Sequence, residues 1–324
     1  MFYDLAGKLA LAALTRDLGN LYESERSLAR NEQFVRAAAN SPDKGWPDPR
    51  RTSKHVRLPF RPNEIGTFAP IVVSVTRTCR RGLSSLSENP KSPKVKVEDG
   101  FLSEFEELAR RLGIGAIGYA RVPPELIFRD RAILSDHAIV LAMEMDKNKI
   151  DRAPSKETQV MVFQTYDRLG KVVNQLTDFL RGHGYAAQAG YPLGGLVLYP
   201  ALAHRAGLGW HGRHGLLITP QFGPRQRIGA IFTTIDNLPE SDSNPHSWIP
   251  EYCRRCGRCI RECPAQAIRE TPVLNDNGTK THIVRDRCFP MFYDNHVCAV
   301  CVKVCAFNTL GYAAVKERFL KTLP

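Results

Sequence analysis

Eight of the nine cysteines fall in the 53 residues from Cys253 to Cys305, and their spacing constrains the fold more than any other feature of the chain. The first run is Cys253-x2-Cys256-x2-Cys259-x3-Cys263-Pro264, and the second is Cys288-x9-Cys298-x2-Cys301-x3-Cys305. A lone C-x2-C pair reads as half of a zinc site. Three thiolates at x2 spacing instead wrap one face of a cuboidal iron–sulfur cluster, and the fourth ligand arrives from elsewhere. Where two such runs share one module, the fourth cysteine of each crosses to the other cluster. The rule assigns Cys253, Cys256, Cys259 and Cys305 to one 4Fe–4S cluster, and Cys263, Cys288, Cys298 and Cys301 to a second. Two details depart from the pattern: nine residues separate Cys288 from Cys298, and Cys305 is followed by Ala306 rather than by proline.

A module of this kind takes about 80 residues, which leaves most of the 324-residue chain for a second domain. The formal charge is +12. Two clusters of about −2 each would bring it to about +8. A basic surface suits an acidic electron donor such as a ferredoxin or flavodoxin, and it suits nucleic acid equally. No apolar run is long enough to span a membrane, so no membrane partner is expected. Met1 to Leu18 carries Asp4 and no twin arginine, and its apolar block Leu9–Leu14 is shorter than an export-signal core. With eight thiols committed to clusters and Cys79 left over, disulfides are not expected and a reducing cytoplasm is the expected compartment.

The leucine spacing of residues 1–40 reads as helix, and the proline- and arginine-rich stretch 41–64 as an extended connection. Pro70-Ile-Val-Val-Ser-Val75 is a β-branched run and reads as a strand. Residues 77–98, with Arg77, Arg80, Arg81, Lys91, Lys94 and Lys96, read as a basic loop. From residue 99 the pattern becomes α/β. A helix is expected over Phe101–Leu112 and strands over Gly115–Val122 and His137–Met143, the latter apolar enough to be buried on both faces. Ser155-x-x-Thr158 opens a helix running to about Arg181, and strands follow at Gly184–Ala189 and residues 227–235. Asp236 to Pro250 reads as a linker. The expected domains are a helical and basic region over 1–98, an α/β domain over 99–240 and the iron–sulfur domain over 241–324.

The stretch from Tyr191 to Arg225 is the second informative one. Glycines recur from Gly194 and Gly195 through Gly209 and Gly215 to Gly223, interleaved with Tyr199, Trp210, His211, Arg213, His214 and Thr219. Glycine allows backbone to approach a ligand closely and to expose N–H donors. The spacing is neither a dinucleotide fingerprint nor a Walker loop. A large ligand site and a tight network of core turns are both compatible with it.

The segment Gly207-Leu-Gly-Trp-His-Gly-Arg-His-Gly-Leu-Leu-Ile-Thr-Pro-Gln-Phe-Gly-Pro-Arg225 resembles one shared by corrinoid-dependent reductive dehalogenases and epoxyqueuosine reductases. The likeness takes in Met143-Glu-Met-Asp146, the helix after Tyr166 and both cysteine runs, and covers roughly residues 110–310. It implies a nitroreductase-like α/β core that buries a cobalamin without a protein ligand to cobalt. A C-terminal ferredoxin-like domain with two 4Fe–4S clusters would pass electrons to that cobalt. The corrinoid contacts it implies are Gly194, Gly195, Leu196, Tyr199, Gly209, Trp210, His211, His214, Gly215, Leu216, Thr219 and Gly223. Epoxyqueuosine reductases place a catalytic aspartate where this chain has Leu193, whereas Tyr166 and Arg213 match the catalytic tyrosine and basic residue of the dehalogenases. The dehalogenase branch is therefore the nearer one, although the chain is short for it and lacks the twin-arginine signal of its membrane-linked members.

The resemblance implies a soluble reductase of a small organic substrate, with Tyr166 as proton donor and Arg213 steadying its phenolate or a leaving anion. Two alternatives stand beside it. One is an epoxyqueuosine reductase acting on tRNA, favoured by the basic stretch 77–98 and opposed by Leu193. The other is a two-cluster electron carrier without catalysis, which would not need the glycine-rich segment.

Overall fold

The computed structural model describes residue 21 and residues 23–43, 64–192, 195–240 and 243–322. The expected helix over the first twenty residues, most of the expected connection 41–64, and Leu193 and Gly194 lie outside the described residues.

The centre is a mixed α/β unit on a four-stranded sheet. Among the described residues ten strands are formed: β1 (Val35–Arg36), β2 (Ala116–Arg121), β3 (Ala132–Ile133), β4 (His137–Glu144), β5 (Ala187–Gly190), β6 (Trp210–His211), β7 (Leu217–Ile218), β8 (Gln226–Thr233), β9 (Ile268–Leu274) and β10 (Lys280–Ile283). The main sheet has the order β2-β4-β8-β5, and every pair in it is antiparallel. β4 is buried on both faces, as its composition predicts. Alternation along it decides which side chain meets which layer. Ala138, Val140 and Ala142 face the short helix Tyr199–Arg205 with Leu202 and Phe232. Ile139, Leu141 and Met143 face Leu169, Val173 and Leu176 of the long helix Lys156–Gly182 and Phe105 of the helix Phe101–Arg111. An apolar run on two faces is usual in parallel sheets. Here an antiparallel sheet is covered on both sides, which makes the same demand. The long helix starts where the sequence predicts: the Ser155 hydroxyl accepts the Thr158 N–H at 3.1 Å and caps it.

The expected strand Pro70–Val75 is instead part of a 20-residue helix, Ile65–Ser84. Its β-branched residues favour a strand locally, but Phe68, Ile71, Val75 and Cys79 recur at helical spacing on one stripe, with Ile71 partly buried and the other three buried. The stripe lies along the long helix, where Thr78 packs on Gly170 and Asn174 donates to the Thr78 carbonyl at 3.0 Å. Burial outweighs the local preference. The helix also takes in residues 77–84 of the expected basic loop, and Arg81 pairs with Glu88 and Asp178.

The helix expected to run to residue 40 stops near residue 28. The Asn31 side chain accepts the Gln33 N–H at 3.0 Å and turns the chain. β1 then pairs with β3. Buried Glu25, which takes the Tyr191 hydroxyl and the Arg131 guanidinium, ties this N-terminal helix to the core.

Residues 246–322 form the cysteine-bearing module: helices Ile249–Cys256 and Arg258–Arg261, the β9–β10 hairpin, then helices Arg285–Asp294, Val300–Lys303, Ala306–Thr309 and Tyr312–Leu320. It is seated on the α/β unit along one seam. Ile218 of β7 enters its core beside Ile249, Phe307 and Val315. Lys303 Nζ donates to the Ala153 carbonyl at 2.9 Å, and Asn308 Nδ2 donates to Asp151 at 2.9 Å.

Candidate iron–sulfur and catalytic site

Cys253 and Cys256 lie one turn apart on the helix Ile249–Cys256. Gly257 then turns the chain at φ 55°, a left-handed conformation open to glycine, and Cys259 returns on the next short helix. Together with Cys305 these thiols line a cavity whose other walls include Arg213, His214, Tyr252 and Phe307. No three His, Cys, Asp or Glu side chains among the described residues are gathered closely enough for a single metal ion. Thiols spread around a cavity suit a cubane, in which each iron takes one thiolate.

Burial pushes the Cys253 thiol up to about 12 and the Cys259 thiol up to about 11, and it lifts Cys305 further. Neighbouring thiols add to the rise, while backbone N–H groups of Arg213, Ile260 and Phe307 pull the other way. Such thiols keep their protons until a metal displaces them. The other four cysteines form a second group. After burial, Cys288 feels Cys263 and Cys298, and Cys301 feels Cys298, Cys259, Cys288 and Cys263. The Cys259–Cys301 influence makes the two groups neighbours. Cys79 lies elsewhere, buried with Leu21, Val75 and Tyr191.

The glycine-rich stretch is a packed turn network. A Cβ on Gly209 would stand 2.1 Å from the Ile218 carbonyl oxygen, one on Gly195 2.5 Å from the Tyr199 ring, and one on Gly215 2.9 Å from His282. Thr219 is fully buried, with its hydroxyl between Gln226 and the Phe222 N–H. Tyr199 is buried and donates to the Tyr191 carbonyl at 3.0 Å, and Leu196 is buried in the same core. Trp210 packs edge-on against His204, and His211 lies between His204 and His282 in a column of near-parallel rings. Burial first, then the neighbouring imidazoles and Lys280, depress His211 to about 3. Burial holds His214 at about 4.

Tyr166 projects from the long helix beside Met161, Val162 and Leu216, in the cluster that also takes in Cys301. The cation over its ring is Arg227, with Cζ 4.4 Å from the ring centroid. Arg213, the expected partner, lines the four-cysteine cavity instead. Arg227 Nε and Asp167 Oδ1 are buried without a hydrogen-bond partner. A donor on β8 and an acceptor on the middle of the long helix are therefore left unused, which fits a polar ligand group. Sequence reading passed over Arg227. Its one signal was a cation inside the otherwise apolar run of β8.

The 4Fe-4S binding domain family matches residues 246–269. Tetrachloroethene reductive dehalogenase of Dehalobacter restrictus is 34% identical over 215 residues, covering 60% of this chain and 37% of that protein. Epoxyqueuosine reductase of Gloeobacter violaceus is 33% identical over 150 residues, covering 43% of this chain and 45% of that protein. Its homologues are reductive dehalogenases and epoxyqueuosine reductases. Both are oxidoreductases. The chain spans well under half the length of the dehalogenases it matches. In fold it is similar to a catabolic reductive dehalogenase, with a TM-score of 0.63 at 20% identity over 88% of this chain and 44% of that one. A second solved structure, described as suggesting a mechanism for B12-dependent dehalogenation, gives 0.64 at 21% identity over 89% and 43%. Among the described residues no helix is long and apolar enough to cross a membrane.

Proposed function

We propose that the chain is an iron–sulfur reductase of the dehalogenase kind, holding two 4Fe–4S clusters and a corrinoid on a nitroreductase-like core. The observation that carries the reading is the meeting of two features at one seam. A cavity is lined by Cys253, Cys256, Cys259 and Cys305. The second group packs through Cys301 into the cluster that carries Tyr166. A cluster ligand and Tyr166 packed against the same apolar core suit electron delivery to a substrate beside that tyrosine.

In this reading Cys263, Cys288, Cys298 and Cys301 hold the inner cluster. Tyr166 donates a proton, and the Arg227 guanidinium beside it steadies the negative charge left on the phenolate or on a departing anion. A corrinoid seated near Tyr166 would supply low-potential electrons through its cobalt. The apolar side chains around Tyr166, among them Met161, Val162 and Leu216, would keep water from the reacting atoms. The donor is an acidic ferredoxin or flavodoxin, drawn by a chain of formal charge +12. The substrate is a small reducible organic molecule.

The test is metal content after anaerobic expression with cobalamin supplied. About one cobalt to eight irons, with a corrinoid spectrum that changes on reduction, is the expected result. Eight irons with no corrinoid uptake would reduce the protein to an electron carrier. Rescue of queuosine formation in a deficient strain would move the substrate to tRNA.

A further inference from the structure

Two residues that line the four-cysteine cavity each carry a buried side-chain nitrogen without an acceptor, and both belong to one short turn. Arg213 Nε and His214 Nε2 are buried with no hydrogen-bond partner, and both residues line the cavity. We propose that Arg213 and His214 donate N–H···S hydrogen bonds to the cluster held by Cys253, Cys256, Cys259 and Cys305, and so raise its reduction potential. The proposal rests on the cluster assignment above.

His214 Nδ1 lies 3.1 Å from the Leu216 N–H and accepts from it. That bond keeps the lone pair on Nδ1, so the proton of the neutral ring sits on Nε2. The buried Nε2 is thus a donor, on a residue that lines the cavity with Cys253, Cys256, Cys259 and Cys305. The ring is held in this orientation by its setting. A Cβ on Gly212 would stand 2.8 Å from His214 Cε1, so glycine is what leaves the ring its place.

Arg213 is fixed from both sides. Its backbone N–H favours the thiolate of Cys253, and the His282 ring nitrogen Nδ1 lies 3.2 Å from its carbonyl oxygen. Its guanidinium is a planar cation with several N–H donors. Reduction adds one electron to the cluster, and hence one negative charge. A fixed cation and two N–H donors bind the reduced state more tightly than the oxidised one, which raises the potential. Backbone donors act in the same sense on this group: Ile260 at Cys259, and Phe307 and Asn308 at Cys305.

The experiment is an EPR-monitored redox titration, with dithionite as the one-electron reductant, on anaerobically prepared protein. Arg213→Met and His214→Phe are each expected to lower one of the two cluster waves and leave the other in place. For Arg213→Met the reduction constant should fall about tenfold, which is about 59 mV for one electron. Arg213→Lys should recover most of that shift. Wild-type potentials in both Arg213→Met and His214→Phe, at full iron content, would overturn the proposal. Should a variant lose iron, the wild-type protein answers alone. Labelling arginine and histidine with 15N should give hyperfine coupling to one reduced cluster, and no coupling overturns the proposal. Wild-type protein without iron would instead overturn the cluster assignment, and this proposal with it.

Discussion

Tyr166 and Arg227 lie 61 residues apart in the chain, and the register of the sheet is what joins them. Arg227 pairs with Met143 across β4–β8, on the edge of the long helix that carries Tyr166. A guanidinium 4.4 Å from a ring centroid in a half-buried site contributes roughly 0.5–2 kcal/mol to packing. That is a modest structural role, so the two residues can be tested without wrecking the fold. Tyr166→Phe should keep iron and corrinoid content while turnover drops by roughly 10²–10⁴, the usual worth of a positioned general acid. Arg227→Met should also depress turnover, whereas Arg213→Met should shift a cluster potential first. Full activity in Tyr166→Phe would remove the tyrosine from the mechanism.

At the scale of elements, the seam between the α/β unit and the cysteine module depends on a turn. Thr219 and Gly223 bond each other's backbone N–H and carbonyl groups at 2.9 Å, and Gly223 sits at φ 58° against Phe307. A Cβ there would stand 2.7 Å from the Phe307 carbonyl oxygen, a backbone atom that cannot swing aside. The left-handed backbone alone costs a non-glycine residue about 1–2 kcal/mol. Gly223→Ala should therefore lower the melting midpoint by roughly 2–4 °C per kcal/mol and speed iron release. An unchanged midpoint and iron-release rate would mean that the seam does not depend on this turn. Much of the architecture around that seam was legible in the chain. The cysteine spacing grouped Cys305 with Cys253, Cys256 and Cys259, and those four do share a cavity. The long helix was legible through its cap and stripe, and β4 through its unbroken apolar run. Pro70–Val75 was not, because its β-branched residues carry a local signal and the deciding stripe needs the long helix as partner. Arg227 was not legible either. Its position beside Tyr166 is a property of the sheet register, to which spacing along the chain gives no access.

On the scale of the molecule, pH acts through the column of imidazoles between the sheet unit and the β9–β10 hairpin. His211 is flanked by His204 from the helix Tyr199–Arg205 and by His282 from β10, with His214 and Lys280 close by. Each of those neighbours, like burial itself, disfavours a charge on His211 and holds it at about 3. An unfolded histidine titrates near 6.5. The unfolded chain therefore binds the extra proton first, and the contribution of His211 to stability is full above about 6.5 and is lost progressively as pH falls toward 3. At pH 5 the loss amounts to about 2 kcal/mol for this residue alone. His214, held at about 4, has the same sign. Cluster thiolates also take up protons in acid, so the raw slope of stability against pH mixes the two effects. A comparison separates them. Unfolding free energies of holoprotein and of His211→Gln, measured by denaturant at pH 7.5 and pH 5.5 with iron followed in parallel, should differ in slope while iron loss stays equal. The variant should lose less stability than the parent on acidification. Parallel slopes would show that the imidazole column is not what acid attacks, and would leave the clusters as the acid-sensitive part of the protein.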